Sequence, residues 1–73
     1  MPLNDDRERV GATIRALREA RGKSRTALAG AVEISASHLA NIENGARPCT
    51  TELAHRLARA LEVQIKAITT RCD

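Results

Sequence analysis

The apolar residues of the chain fall into five short groups, each with the spacing of an amphipathic helix. In the first group, Val10, Ile14 and Leu17 recur at intervals of three and four residues. A later group at 51–63 places a leucine at every fourth position. The chain has no Phe, Tyr or Trp, so its core consists of Leu, Ile, Val and Ala, which suit closely packed short helices. The pattern predicts an all-α, compact five-helix bundle.

Capping residues suggest where the helices begin and end. The first helix is predicted to start after Asp5, which acts as its cap with Glu8 three residues later, and to stop at Gly22. Helix two covers about 25–32 and helix three about 36–44, ended by Gly45, and a short last helix precedes a polar tail at 69–73. The predicted caps of helices two, three and four are Ser24, Ser35 and Thr50.

The segment between helices two and three contains a break in the apolar pattern. Leu28 and Val32 fit one helical stripe, and Leu39 and Ile42 fit a second, but the two stripes do not keep one phase through Ile34. The chain is therefore expected to turn sharply within "VEIS". Two short helices joined in this way, the second with Ser and Asn on its outer side, are the parts of a helix-turn-helix.

Length and composition exclude several classes of function. A chain of 73 residues is expected to form one domain, spanning 1–73, with no room for a substrate cleft. No catalytic triad, carboxylate pair or phosphate-binding glycine loop is evident, so we expect no enzyme activity, cofactor or small-molecule ligand. Cys49 and Cys72, with His38 and His55, match no zinc pattern, so we expect no metal.

The location of the protein follows from its hydropathy. No apolar run reaches the length of a membrane span, and the charged start "MPLNDDRERV" differs from a signal peptide. We therefore expect a cytoplasmic protein with reduced thiols and no membrane partner. The net charge of +3 is a moderate excess, and basic residues are mixed with acidic ones along the chain. Most charges, including Arg7, Arg9 and Arg15, are expected to be surface charges, so only their placement informs function.

Specific stretches carry a family resemblance. They are "IRALREARGKS" in helix one, "SRTALAGAVEISASHLANIENG" across helices two and three, "IENGARP" after helix three and "LARALEV" in helix four. From Val10 to about Ile68, the chain resembles the phage-repressor-like helix-turn-helix regulators of the Cro and C1 type. The resemblance implies a lambda repressor-like DNA-binding domain, with the motif at about 25–44 and the second motif helix in the major groove.

The resemblance also implies which residues meet DNA. An Asn amide can pair with adenine N6 and N7, a Ser hydroxyl can donate or accept, and an Ala methyl can pack on thymine. The alternative is that these short side chains merely solvate an exposed helix. The residues expected at the bases are Ser35, Ala36, Ser37 and Asn41, and those expected at the DNA backbone are Ser24, Arg25, His38, Asn44 and Arg47.

Three further expectations concern individual positions of the family pattern. The resemblance implies an ion pair between Arg18 and Glu43, tying helix one to the end of helix three. Arg25 stands where the family usually has Gln, so it can bind phosphate but cannot accept a hydrogen bond. Glu33 stands where the family commonly has Gly, so a residue with a Cβ is predicted at positive φ, at a cost of about 1 kcal/mol.

The sequence therefore predicts a sequence-specific double-stranded DNA-binding transcriptional regulator, acting as a homodimer on a palindromic operator. The alternative is a protein-interaction module of the same fold, antitoxin-like or an adaptor using helix four. The C-terminal segment also has two interpretations. Val63, Ile65 and Ile68 either form the dimer interface or complete the core of the monomer.

Overall fold

The computed structural model describes residues 3–69 and the side chains of residues 7–68. Within this range the chain forms helices only, as the sequence predicts, with no strand. Most of the predicted polar tail, from residue 70 onward, and Cys72 lie outside the described residues. The helices are α1 (Leu3–Ala20), α2 (Arg25–Ala31), α3 (Ala36–Glu43), α4 (Thr51–Leu61) and α5 (Ile65–Thr69).

The start of α1 differs from the prediction. The helix begins at Leu3, so Asp5 lies inside its first turn and is not the N-cap. An acidic residue stabilises the first turn of a helix through the helix dipole as well as by capping. An aspartate near a helix start therefore does not by itself fix the boundary. The 18-residue α1 contains many charges, and no helix in the described part of the chain is long and apolar enough to cross a membrane.

The starts of the next three helices are confirmed by hydrogen bonds from backbone to side chain. The Ser24 hydroxyl accepts from the N–H of Ala27 at 3.0 Å, and the Ser35 hydroxyl accepts from the N–H of His38 at 3.0 Å. Thr50 accepts from the N–H of Leu53 at 3.2 Å. Each cap satisfies a backbone donor that the helix leaves unpaired. These are the three caps that the sequence predicts.

Four helices end in a left-handed residue. Gly22 (φ 68°) and Gly45 (φ 81°) end α1 and α3 as predicted. Glu33 (φ 65°) follows α2 at positive φ, as expected from the glycine that the family commonly has at this position. Glu62 (φ 60°) ends α4 in the same conformation. The sequence did not indicate this last turn, because a glutamate gives no local sign of positive φ. Only glycine adopts this region without steric cost, so both glutamates are strained.

The core is built from the predicted apolar stripes. Ile14 of α1, Leu28 of α2 and Leu57 of α4 are completely buried. The C-terminal segment divides between its two interpretations. Ile68 is 2% exposed, so of the two interpretations the core of the monomer is confirmed for this residue. Val63 and Ile65 are half-buried and pack against the edge of this core.

Close contact between α1 and α3 fixes the position of the second motif helix. Gly11 of α1 lies against the backbone at the end of α3, where a Cβ on Gly11 would sit only 2.8 Å from the carbonyl oxygen of Glu43. No larger residue fits without moving a backbone. The absence of a side chain at Gly11 therefore sets how closely α1 approaches α3.

Candidate nucleic-acid interface

The two motif helices are joined by a tight turn. After the left-handed Glu33, the N–H of Ile34 donates to the Ala29 carbonyl at 3.0 Å, which closes the end of α2, and Ser35 then caps α3. Leu39 and Ile42 on the inward side of α3 are buried at 0% and 1% exposure. Because these two residues are fixed in the core, the opposite side of α3 faces solvent.

A groove lies on this solvent-facing side. It has a volume of about 300 Å³ and is lined by five residues, all of which the sequence assigns to DNA contact. Arg47 reaches it because the chain turns back after Gly45, with the N–H of Arg47 donating to the Asn41 carbonyl at 3.1 Å. The groove thus joins the start and middle of α3 to the segment that follows the helix. Its lining residues are Ser35, Ser37, His38, Asn41 and Arg47.

The remaining predicted contact residues lie around this groove. Ala36 is half-buried and packs partly against the core, so only part of its methyl group faces outward. Asn44 is exposed at the C-cap of α3. Ser24 and Arg25 stand together at the start of α2, where the Ser24 hydroxyl is already used as the helix cap.

The ion pair predicted between α1 and α3 is present and buried. The Nε of Arg18 donates to Oε2 of Glu43 at 2.8 Å, and a terminal nitrogen of Arg18 donates to Oε1 at 3.2 Å. The Lys23 carbonyl accepts a third bond from Arg18 at 2.9 Å. The hydrogen bond to Glu43 raises the pKa of Arg18 above its usual value, although burial of the guanidinium acts in the opposite direction.

Arg25 has a partner that the sequence did not indicate. Its Nε donates to Oε1 of Glu43 at 3.2 Å, so one carboxylate receives two guanidinium groups. The two residues are 18 positions apart and belong to different helices. No periodic or local pattern connects them, and only the packing of α2 against α3 brings them together.

Other features of the surface offer little chemistry. Burial of the Cys49 thiol raises its pKa to about 11, so it stays protonated and unreactive near neutral pH. The described residues include no group of three or more metal-ligating side chains. A larger groove of about 460 Å³ lies between the end of α2 and α4, and none of the predicted DNA-contact residues lines it. Its walls combine Glu33 and Glu52 with Arg56 and Arg59.

Comparisons with known proteins agree with this arrangement. The chain is 29% identical to the clp gene regulator ClgR from C. glutamicum over 93% of this chain and 86% of that one, with a TM-score of 0.84. A second ClgR structure gives 30% identity and a TM-score of 0.84 over 92% of this chain and 69% of that one. The restriction-modification controller protein C.AhdI from Aeromonas hydrophila gives 28% identity over 88% and 97%, also with a TM-score of 0.84.

A comparison with curated proteins finds no match. Residues 9–67 match the family described as helix-turn-helix domain. This range includes α2, α3 and the groove on the outer side of α3, and it covers most of the 73 residues. The chain therefore belongs to the helix-turn-helix domain family, and its fold is that of DNA-binding transcription regulators.

Proposed function

We propose that the protein binds double-stranded DNA in a sequence-specific manner and regulates transcription. The main support is the groove on the outer side of α3, in which Ser37 and Asn41 are exposed and polar. Among the described residues, neither side chain has a protein partner. Polar side chains held on a rigid helix at this position have the dimensions and chemistry needed for base edges in the major groove.

The proposed contacts divide into two kinds. The Asn41 amide is assigned to an adenine, and Ser35 and Ser37 are assigned to neighbouring base edges. The half-buried Ala36 is assigned to a thymine methyl group beside them. Arg47, His38 and Arg25 are assigned to backbone phosphates, because a cation at the edge of the groove attracts phosphate without regard to sequence. The start of α2 and the end of α3, with Ser24 and Asn44, complete the backbone contacts.

The protein is proposed to act as a homodimer on a palindromic operator. One α3 contacts only a few base pairs, and two copies with half-sites about 34 Å apart double the sequence that is recognised. Val63 and Ile65 support a dimer contact, since both remain partly exposed at the start of α5. Sedimentation of the intact chain at increasing concentration tests this proposal, and a monomer at every concentration would contradict it.

The same proposal places the protein in the cytoplasm without catalytic activity.

The competing function is a protein-interaction module, antitoxin-like or adaptor-like, that uses the face of α4. The groove beside α4 gives this alternative limited support, because its charges are of both signs and Arg56 already pairs with Glu52 at 3.0 Å. An extended apolar surface would have favoured it more.

Binding titrations with two alanine variants test the proposed function. Asn41→Ala should remove discrimination at one base-pair position, by about 1 to 3 kcal/mol, and leave nonspecific binding unchanged. Arg25→Ala should weaken binding to all sequences alike and lower the slope of log affinity against log salt by about one unit per subunit. The duplexes are the best binders selected from a random pool and their scrambled counterparts.

Two outcomes of these titrations would contradict the proposal in different ways. If Asn41→Ala weakens selected and scrambled duplexes equally, α3 does not read the bases. If the wild-type chain binds neither duplex at low salt, the protein does not bind DNA and the interaction module becomes the better explanation.

A further inference from the structure

The carboxylate of Glu43 joins the interior of the protein to the edge of the proposed DNA interface. The Glu43 side chain is 0% exposed, that of Arg18 is 9% exposed and that of Arg25 is 39% exposed. Of the three charged groups, only Arg25 therefore reaches solvent to a large extent. It does so at the first position of α2, beside the Ser24 cap.

The hydrogen bonds show how the charges of this cluster balance. Arg18 makes two bonds to Glu43 and so neutralises the carboxylate. The bond from Arg25 uses only its Nε, and among the described residues its two terminal nitrogens have no partner. These three residues comprise two cations and one anion, and the exposed carboxylate of Glu19 lies a further 3.8 Å from Arg18. Both carboxylates lie next to Arg18, so the surplus positive charge lies on the exposed guanidinium of Arg25.

We propose that Glu43 is a positioning residue for DNA binding, which holds the Nε of Arg25 so that its terminal nitrogens face a backbone phosphate. This inference rests on the proposed function. A guanidinium has five N–H donors in a rigid plane, so Arg25 can bind phosphate through its end while its Nε stays on Glu43.

Positioning reduces the loss of side-chain conformational entropy when Arg25 binds a phosphate. A free arginine samples many rotamers, and fixing it on a ligand costs affinity, whereas Glu43 fixes it beforehand. Phosphate does not have to displace Glu43 from Arg25, because the two bonds from Arg18 already neutralise the carboxylate. Loss of the positioning should therefore weaken DNA binding about two- to tenfold.

Glu43→Gln tests the inference, because a pure charge effect and a positioning role predict changes in DNA affinity of opposite sign. Removing a negative charge from a DNA-binding protein should tighten binding if only charge matters. If Glu43 positions Arg25, binding to a mixed-sequence duplex of about 30 base pairs should instead weaken by the stated factor. In addition, Arg25→Ala should weaken binding less in the Glu43→Gln protein than in the wild type.

The molecule contains a matched control. Arg15 donates through its Nε to Glu19, also at 3.2 Å, but both side chains are 56% exposed on α1. Glu19→Gln removes the same charge, and within the cluster it loses only the 3.8 Å contact of Glu19 with Arg18 and no contact of Arg25. It should leave binding unchanged or slightly tighter. Equal effects of Arg25→Ala in the wild-type and Glu43→Gln backgrounds would overturn the inference.

A second variant decides the question if Glu43→Gln does not fold. Arg25→Lys keeps the charge, so the salt slope should be unchanged, but a lysine has no side donor to stay on Glu43 while it binds phosphate. Its affinity should fall about two- to tenfold, and wild-type affinity would contradict the inference. Wild-type protein that binds no DNA would instead overturn the proposed function itself.

Discussion

The inward and outward sides of α3 differ in whether contacts within the protein explain their side chains. On the inward side Leu39 and Ile42 are packed in the core. Glu43 is also buried, and its carboxylate accepts three hydrogen bonds. On the outward side Ser37 and Asn41 are exposed, and the described chain provides no partner for their side chains. The fold accounts for the inward residues. It does not account for the outward ones, which the proposed function assigns to DNA contact.

The largest effect should come from the inward ion pair. Glu43→Ala leaves the buried Arg18 without its carboxylate and should lower the free energy of unfolding by about 3 to 5 kcal/mol. Arg18→Ala should cost less, because Arg25 still neutralises Glu43. The double variant should be more stable than the sum of the two single losses implies. Urea unfolding at low temperature measures all three values.

The exposed pair on α1 serves as the reference for this cycle. Arg15→Ala should change the free energy of unfolding by less than about 1 kcal/mol, because both partners are solvated. Strict additivity of the Arg18 and Glu43 changes would show that the two buried charges do not depend on each other.

A smaller effect is expected at the turn between α2 and α3. It would show that an exposed residue outside the core can also affect stability. Glu33 is exposed, yet its backbone has a φ of 65°. Glu33→Gly should raise the free energy of unfolding by about 0.5 to 1 kcal/mol, since relief of strain exceeds the added freedom of the unfolded chain. Thermal and urea unfolding measure the gain.

Glu33→Ala separates backbone strain from the loss of the glutamate charge. Alanine keeps the Cβ and therefore the strain, so its stability should stay near that of the wild type. A gain in Glu33→Ala equal to that in Glu33→Gly would mean that charge repulsion, and not the left-handed backbone, destabilises this turn.

The smallest effect, and of opposite sign to that of the inward side, is expected for the outward residues. Ser37→Ala and Asn41→Ala remove no internal contact and replace poor helix formers by the best one, so each should stabilise the protein by up to about 0.5 kcal/mol. Circular dichroism during urea unfolding measures this. A clear loss of stability in either variant would mean that the outward side contributes to the fold.

Local patterns were sufficient for most of the architecture. The five helices and the caps at Ser24, Ser35 and Thr50 follow from residues within one turn of each other. The positive φ of Glu33 followed instead from the family resemblance, in which glycine is common at this position. The start of α1 was wrong because Asp5 is equally favourable within a first turn and at a cap.

Features that depend on tertiary packing were not predictable in this way. The Arg25 bond to Glu43 joins residues on two helices, and the role of Gly11 depends on which helix crosses it. The burial of Ile68 was left undecided, because a short apolar helix has the same pattern against its own chain and against a second copy. The proposed base contacts depend on a molecule outside the chain, so neither sequence pattern nor packing can test them.

The contact at Gly11 also has a consequence for motion. Where two helices meet through side chains, the rotamers can adjust when one helix shifts, but at Gly11 backbone lies against backbone. A displacement of α1 has no soft element to absorb it at this point and is passed on to the end of α3. The two helices should therefore move as one rigid body, and the outward side of α3 should turn with α1.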